Sequence, residues 1–171
     1  FDADQASRKV TRRGGPIRRA IVQLFGKCFL KAGGELDRRK LALHVFSRPK
    51  DLKKLNILIH PGVIFECLKV IRRFKHKPGV LVLDVPLLFE SRMEKLADVT
   101  LVVCASREKM LARAERKGLP RALAVKILSA QWLPARKSAL ADYVIQNNGG
   151  PEDLYKSVKR VYEKILDQAG S

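Results

Sequence analysis

The chain has 171 residues, 46% of them hydrophobic and 6% aromatic, a composition that suits one globular domain with a real core and excludes a disordered chain. Thirty-five Lys and Arg against 17 Asp and Glu give a net charge of +18 and a pI near 10.3, which favours anionic partners: nucleic acid, anionic membrane or phosphate-rich small molecules. No apolar run approaches the ~18 residues of a membrane span, and the three scattered cysteines, Cys28, Cys67 and Cys104, fit reduced thiols in a cytoplasm better than a disulfide framework.

In chain order, DADQASR (2–8) comes first; taken alone, its short acidic side chains read as loop caps. Asp37 can cap a helix carrying Leu41 and Val45, stopped before Pro49. His60 precedes Pro61 and reads as a turn or cap residue. VLVLD (80–84), VTLVV (99–103) and YVI (143–145) read as short strands buried on both faces. Between the last two, Ser106 suits an N-cap with Glu108 in the first turn, and Gly118 closes that helix. Pro120 can open the next helix, with Leu123, Ile127 and Leu128 on one face. Gly150 and Pro151 open a final helix in which Leu154, Val158, Val161 and Ile165 recur at helical spacing, with Glu152 and Asp153 at its positive end.

Strands alternating with helices imply an α/β fold, a three-layer parallel sheet with helices on both faces. Residues 1–171 read as a single domain, since no repeat or long linker interrupts them. In such sheets ligands sit at the carboxyl ends of the strands. Asp84 ends the first buried run there, and spacing alone leaves open whether it serves chemistry or caps a loop. Basic pairs recur along the whole chain, and most read as solvated surface. No zinc-finger, helix-turn-helix or RNA-binding aromatic pattern accompanies them, so no specific nucleic acid is expected.

Seven stretches in order, DADQASR (2–8), GGP with IVQLFG (14–26), ELDRRKLALHVF (35–46), LNILIHP (55–61), LDVPLLFE (83–90), LVV (101–103) and ADYVIQNNG (141–149), resemble the dephospho-CoA kinase family. The resemblance runs the length of the chain. It implies a P-loop NTPase, nucleotide-kinase-like fold, and transfer of the γ-phosphoryl group of ATP, with Mg2+, to the 3′-hydroxyl of dephospho-CoA.

Carried over position by position, the resemblance makes Asp4 the general base for that hydroxyl, a role a carboxylate in hydrogen-bond reach can fill without an unusual pKa. Arg8 matches a position that meets the acceptor's anionic groups, and His60 belongs to acceptor-site geometry within a helical acceptor region of about residues 5–75. Asp84 falls where the family keeps an acidic residue near magnesium. Leu87, Leu88 and Phe89 then read as a pocket wall, with a core plug as the alternative for each. The stretch 113–131 corresponds to a lid whose Arg113, Arg116 and Lys117 offset triphosphate charge. That stretch is one residue shorter than the family's usual pattern and lacks the acidic residue before its glycine, so the choice among the three stays open. Asn147 and Gly149 would approach the adenine.

One family element is missing: the phosphate loop GxxxxGK[ST] occurs nowhere in the chain. The expectation is that a strand and this loop, roughly 30 residues as one strand–loop–helix unit, belong upstream of Phe1. That strand is expected to lie between the segment ending at Asp2–Asp4 and the one ending at Asp84. The rival reading is an inactive kinase remnant that binds nucleic acid through its charge.

Overall fold

The computed structural model describes residues 1–169. Its contacts cluster in two compact units, Phe1–Met93 and a second from Glu94 onward.

The first unit is mostly helical. Helix α1 (Ala3–Val10) starts where the Asp2 side chain accepts from the Gln5 N–H at 2.9 Å, which satisfies one of the orphan donors of a helix start. Helices α2 (Pro16–Phe25), α3 (Arg38–Val45) and α4 (Pro49–Phe74) follow. Asp37 caps α3 as expected, accepting from the Lys40 N–H at 3.0 Å. Ile21, Phe29, Leu41, Val45 and Leu55 form one core between α2, α3 and α4, and Ala3, Ala6 and Val63 form another between α1 and α4. Gly62 faces both α2 and α1: a Cβ there would sit 2.7 Å from Cδ1 of Ile17 on α2 and 3.4 Å from Cβ of Val10 on α1.

Three expectations are corrected in this unit. His60 and Pro61 form no turn; both lie in the middle of α4, where packing of α4 on α1 outweighs the one backbone bond that a proline removes. Residues 80–83 form no regular strand, and of the run 80–84 only Asp84 makes a bridge. Val80 and Val82 are 41% and 69% exposed, so the run is not buried on both faces. Finally, no strand lies between the Asp2 and Asp84 segments. They pair directly in parallel, with Asp84 N–H donating to the Phe1 carbonyl at 2.8 Å and Ala3 N–H to the Asp84 carbonyl at 3.0 Å.

The second unit holds the regular sheet. Strands β1 (Leu101–Cys104) and β2 (Tyr143–Gln146) pair in parallel, Leu101 opposite Tyr143 and Cys104 opposite Gln146. The crossover runs through α5 (Arg107–Arg116), α6 (Arg121–Ser129) and the short α7 (Pro134–Ser138). Both strands begin at a mutual cap: the Asp142 carboxylate accepts from the Thr100 N–H and Oγ1, each at 2.7 Å, and Asp142 N–H donates back to Thr100 Oγ1 at 3.1 Å. These bonds hold the Asp142 carboxyl below the usual carboxylate range. Ser106 caps α5, accepting from the Lys109 N–H at 3.4 Å, and Gly118 ends the following turn at φ +80°. Leu111, Leu123 and Ala124 are buried where α5 meets α6. Helix α8 (Pro151–Ala169) packs on β2 with Leu154, Val161 and Ile165 half-buried. Here too burial is one-sided, because Leu101, Val103 and Val144 stay exposed.

Candidate active site

Where α1 crosses α4, the first unit encloses a cavity of ≈ 150 Å³. Helix α1 contributes Asp4 and Ser7, one turn apart on one face. Asn56 and His60 come from α4, four residues apart and so also one turn apart on one face, and Val85 to Leu87 close the remaining side. Ile59, Val63 and Met93 make its floor apolar. An apolar lining with a few convergent polar groups is the usual lining of a small-molecule site, and a volume of ≈ 150 Å³ takes one part of such a molecule.

Asp4 is exposed and stands in the first turn of α1, where a negative charge suits the positive helix end. His60 is half-buried, and burial holds its imidazole below the ordinary histidine range, so at neutral pH it offers hydrogen bonds and not charge. Leu87 lines the cavity. Leu88 is half-buried and Phe89, only 6% exposed, is buried; neither lines it. Arg8 is exposed one turn beyond Asp4 and also stands outside the lining. Asp84 is exposed, its backbone fixed by the bridge to Asp2. Sequence reasoning missed Asn56, Ser7 and Met93. Asn56 was within reach, because LNILIHP sets it four residues before His60 on one helical face.

In the second unit Arg113 leaves α5 to donate from Nη2 to Asn147 Oδ1 at 3.2 Å. Asn147 belongs to the loop after β2, tied by its N–H to the Cys104 carbonyl at 2.7 Å. The same loop is held at Asn148, which accepts from the Ser106 N–H at 2.8 Å and from Lys109 Nζ. Gly149 is required by packing: a Cβ there would lie 2.3 Å from Asp153 Oδ2, the atom that accepts from the Gly150 N–H at 3.0 Å. Arg116 and Lys117 are exposed, and among the described residues neither makes an ion pair. A wider cavity lined by Asp98, Asp142, Tyr143 and Lys164 lies at the amino ends of β1 and β2, away from the strand ends where such sheets bind ligands. Among the described residues no group of three His, Cys, Asp or Glu comes together to hold a metal ion. No described helix is long and apolar enough to cross a membrane.

The family model described as dephospho-CoA kinase matches residues 1–153. A dephospho-CoA kinase of Fusobacterium nucleatum is 39% identical over 168 residues, which cover 96% of this chain and 84% of its own. A crystal structure from Thermus thermophilus superposes with a TM-score of 0.73 at 32% identity, over 96% of this chain and 83% of that one. A dephospho-CoA kinase from Campylobacter jejuni has the same fold, with a TM-score of 0.67 at 24% identity over 99% of this chain and 85% of that one. None of these comparisons supports the nucleic-acid-binding remnant.

Proposed function

The chain belongs to the dephospho-CoA kinase family, and from that membership we propose that it transfers the γ-phosphoryl group of ATP to the 3′-hydroxyl of dephospho-CoA, the last step in making coenzyme A. The observation that carries the reading is Asp4, an exposed carboxylate on the wall of a cavity whose other walls suit an acceptor nucleoside. As the new P–O bond forms, the hydroxyl must give up its proton, and Asp4 accepts it. Asn56 and neutral His60 orient the acceptor by hydrogen bonds, and Leu87 covers its apolar side.

Most of the rate in phosphoryl transfer comes from positioning and charge neutralisation. Arg113, braced by Asn147, serves the triphosphate, with Arg116 and Lys117 free to add charge. Asn147 and Gly149 lie beside the adenine. Magnesium usually takes one or two protein carboxylates and completes its shell with water and phosphate oxygens. The exposed Asp84 fits that part, and when bound the ion offsets phosphate charge. The free thiols of Cys28, Cys67 and Cys104 fit a reducing cytoplasm.

Transfer also needs a glycine-rich phosphate loop, so the test uses this chain joined to a GxxxxGK[ST] segment. Dephospho-CoA and ATP should give ADP and a 3′-phosphorylated product, followed by coupled ADP assay and phosphorus NMR. ADP release without a new 3′-phosphomonoester would overturn the reading.

A further inference from the structure

Where α1 ends, the Arg38 guanidinium is held against the backbone of Arg8. Arg38, the first residue of α3, donates from Nη2 to Thr11 Oγ1 at 2.6 Å and to the Arg8 carbonyl at 3.3 Å. Thr11 is 2% exposed, and its hydroxyl is spent on the Ser7 carbonyl at 2.6 Å. Its oxygen is therefore a fixed acceptor that holds the head of Arg38 at the end of α1. Both bonds use Nη2, which leaves Nε and Nη1 of the fork to meet something else. Among the described residues neither Arg8 nor Arg38 makes an ion pair. The carboxylates near Arg8 are Asp2, already committed to the Gln5 N–H, and Asp4, one turn back on α1. Burial, and then the charge of Arg8, push the Arg38 guanidinium below the usual arginine range. A partly buried Arg38 that feels the charge of the exposed Arg8 is unfavourable until an anion joins them, and planar forks match phosphate oxygens best.

Arg8 follows Asp4 by four residues on one helix face, about 6 Å along the axis. In a nucleoside 5′-diphosphate ester the diphosphate hangs from the same ribose as the 3′-hydroxyl. A group that receives the hydroxyl at Asp4 thus carries its diphosphate toward Arg8. We propose that Arg8 and Arg38 form a clamp for the diphosphate of the acceptor nucleotide, with Thr11 fixing the head of Arg38. The proposal rests on the reading of Asp4 given above, and it adds a residue, Arg38, and a ligand group to that site.

Calorimetric titration of the 171-residue chain tests it, with inorganic pyrophosphate, dephospho-CoA and adenosine as probes. Arg38→Gln should weaken pyrophosphate and dephospho-CoA roughly tenfold or more, the size of a lost hydrogen bond to a charged group, and leave adenosine unchanged. Arg38→Lys, which keeps the charge but not the fork, should fall between. Arg39→Gln should change nothing. If Arg38→Gln does not fold, Arg38→Lys and Arg8→Gln carry the same comparison. Pyrophosphate bound equally well by Arg38→Gln, lost equally in Arg39→Gln, or never bound would overturn the clamp. Pyrophosphate binding that depends on Arg38, in a chain that does not bind dephospho-CoA, would support the clamp and remove the kinase reading instead.

Discussion

Arg113 Nη2 donates to Asn147 Oδ1 at 3.2 Å, which ties the last turn of α5 to the loop after β2. One bond thus couples the arginine assigned to the triphosphate with the asparagine assigned to the adenine. Arg113 is half-buried and braced, whereas Arg116 and Lys117 are exposed and unpaired among the described residues. A braced fork loses less entropy on binding an oxyanion than a free one. In the chain joined to a phosphate-loop segment, Arg113→Ala should therefore lower turnover with ATP more than Arg116→Ala does, while the KM for dephospho-CoA moves little. Arg72→Ala and Arg160→Ala, both exposed, should leave both constants near their starting values. Steady-state kinetics decide, and equal effects at Arg113 and Arg72 would mean the lid is wrongly placed.

Asp4→Asn keeps the shape of the cavity wall and removes the proton acceptor. General-base losses are typically ~100-fold or more in kcat, and ATP affinity should stay nearly intact because Asp4 contacts no phosphate in this scheme. Turnover of dephospho-CoA at close to the unaltered rate would take the role away from Asp4.

Helix caps were readable because one side chain decides them: Asp37, Ser106 and Gly118 act where their types predict. The acceptor residues were readable in part, since the family resemblance pointed to Asp4 and His60, and both line the one cavity although they come from different helices. His60–Pro61 was misread because dipeptide preference disfavours a helix there, while burial of Leu55, Val63 and Cys67 along α4 favours it. Residues 80–84 were misread for a related reason. An apolar run shows that a segment can be buried, but not which neighbour pairs with it. The Arg8–Arg38 contact joins residues 30 apart, and no spacing rule reaches that far.

The lowered pKa of His60 makes stability depend on pH. Asp4 lines the same cavity and a carboxylate would favour the charged imidazole, but burial prevails. The folded state then binds fewer protons than the unfolded one between the depressed folded pKa and about 6.5. Stability should be fully present above about 6.5 and should fall as the pH drops through that window. His60→Asn should remove this part of the slope. Urea midpoints from pH 5 to 8 for both proteins would show it, and parallel curves would rule it out.

At Gly62, α4 comes close to both α2 and α1. An alanine Cβ would press on the Ile17 Cδ1 at 2.7 Å, the free end of a side chain that can rotate away, and it would gain about 1 kcal/mol of helix propensity. Gly62→Ala should therefore melt near the unaltered protein. Gly62→Leu must also displace Val10, whose Cβ lies 3.4 Å from that point, and overpacking of this kind costs roughly 1–3 kcal/mol. Its thermal midpoint should fall by several degrees, and an unchanged midpoint would mean that α1 has room to move.

Each unit leaves apolar side chains on extended backbone in solvent: Val82 is 69% exposed in the first, and Val103 is 53% exposed in the second. Val103 lies on β1, which pairs only with β2 among the described residues, so its other edge presents free N–H and C=O groups beside an apolar row. Such edges recruit further strands, and exposed apolar surface strengthens the association. The 171-residue chain by itself should self-associate in light scattering and bind a hydrophobic dye. Val82→Thr combined with Val103→Thr should reduce both signals at little cost to the melting temperature, because exposed positions usually change stability by no more than about 0.5 kcal/mol. Val63→Thr, at a position only 7% exposed in the core between α1 and α4, should instead lower the melting temperature without reducing association. If the double variant scatters as strongly as the unaltered chain, association comes from another surface and these edges are already protected.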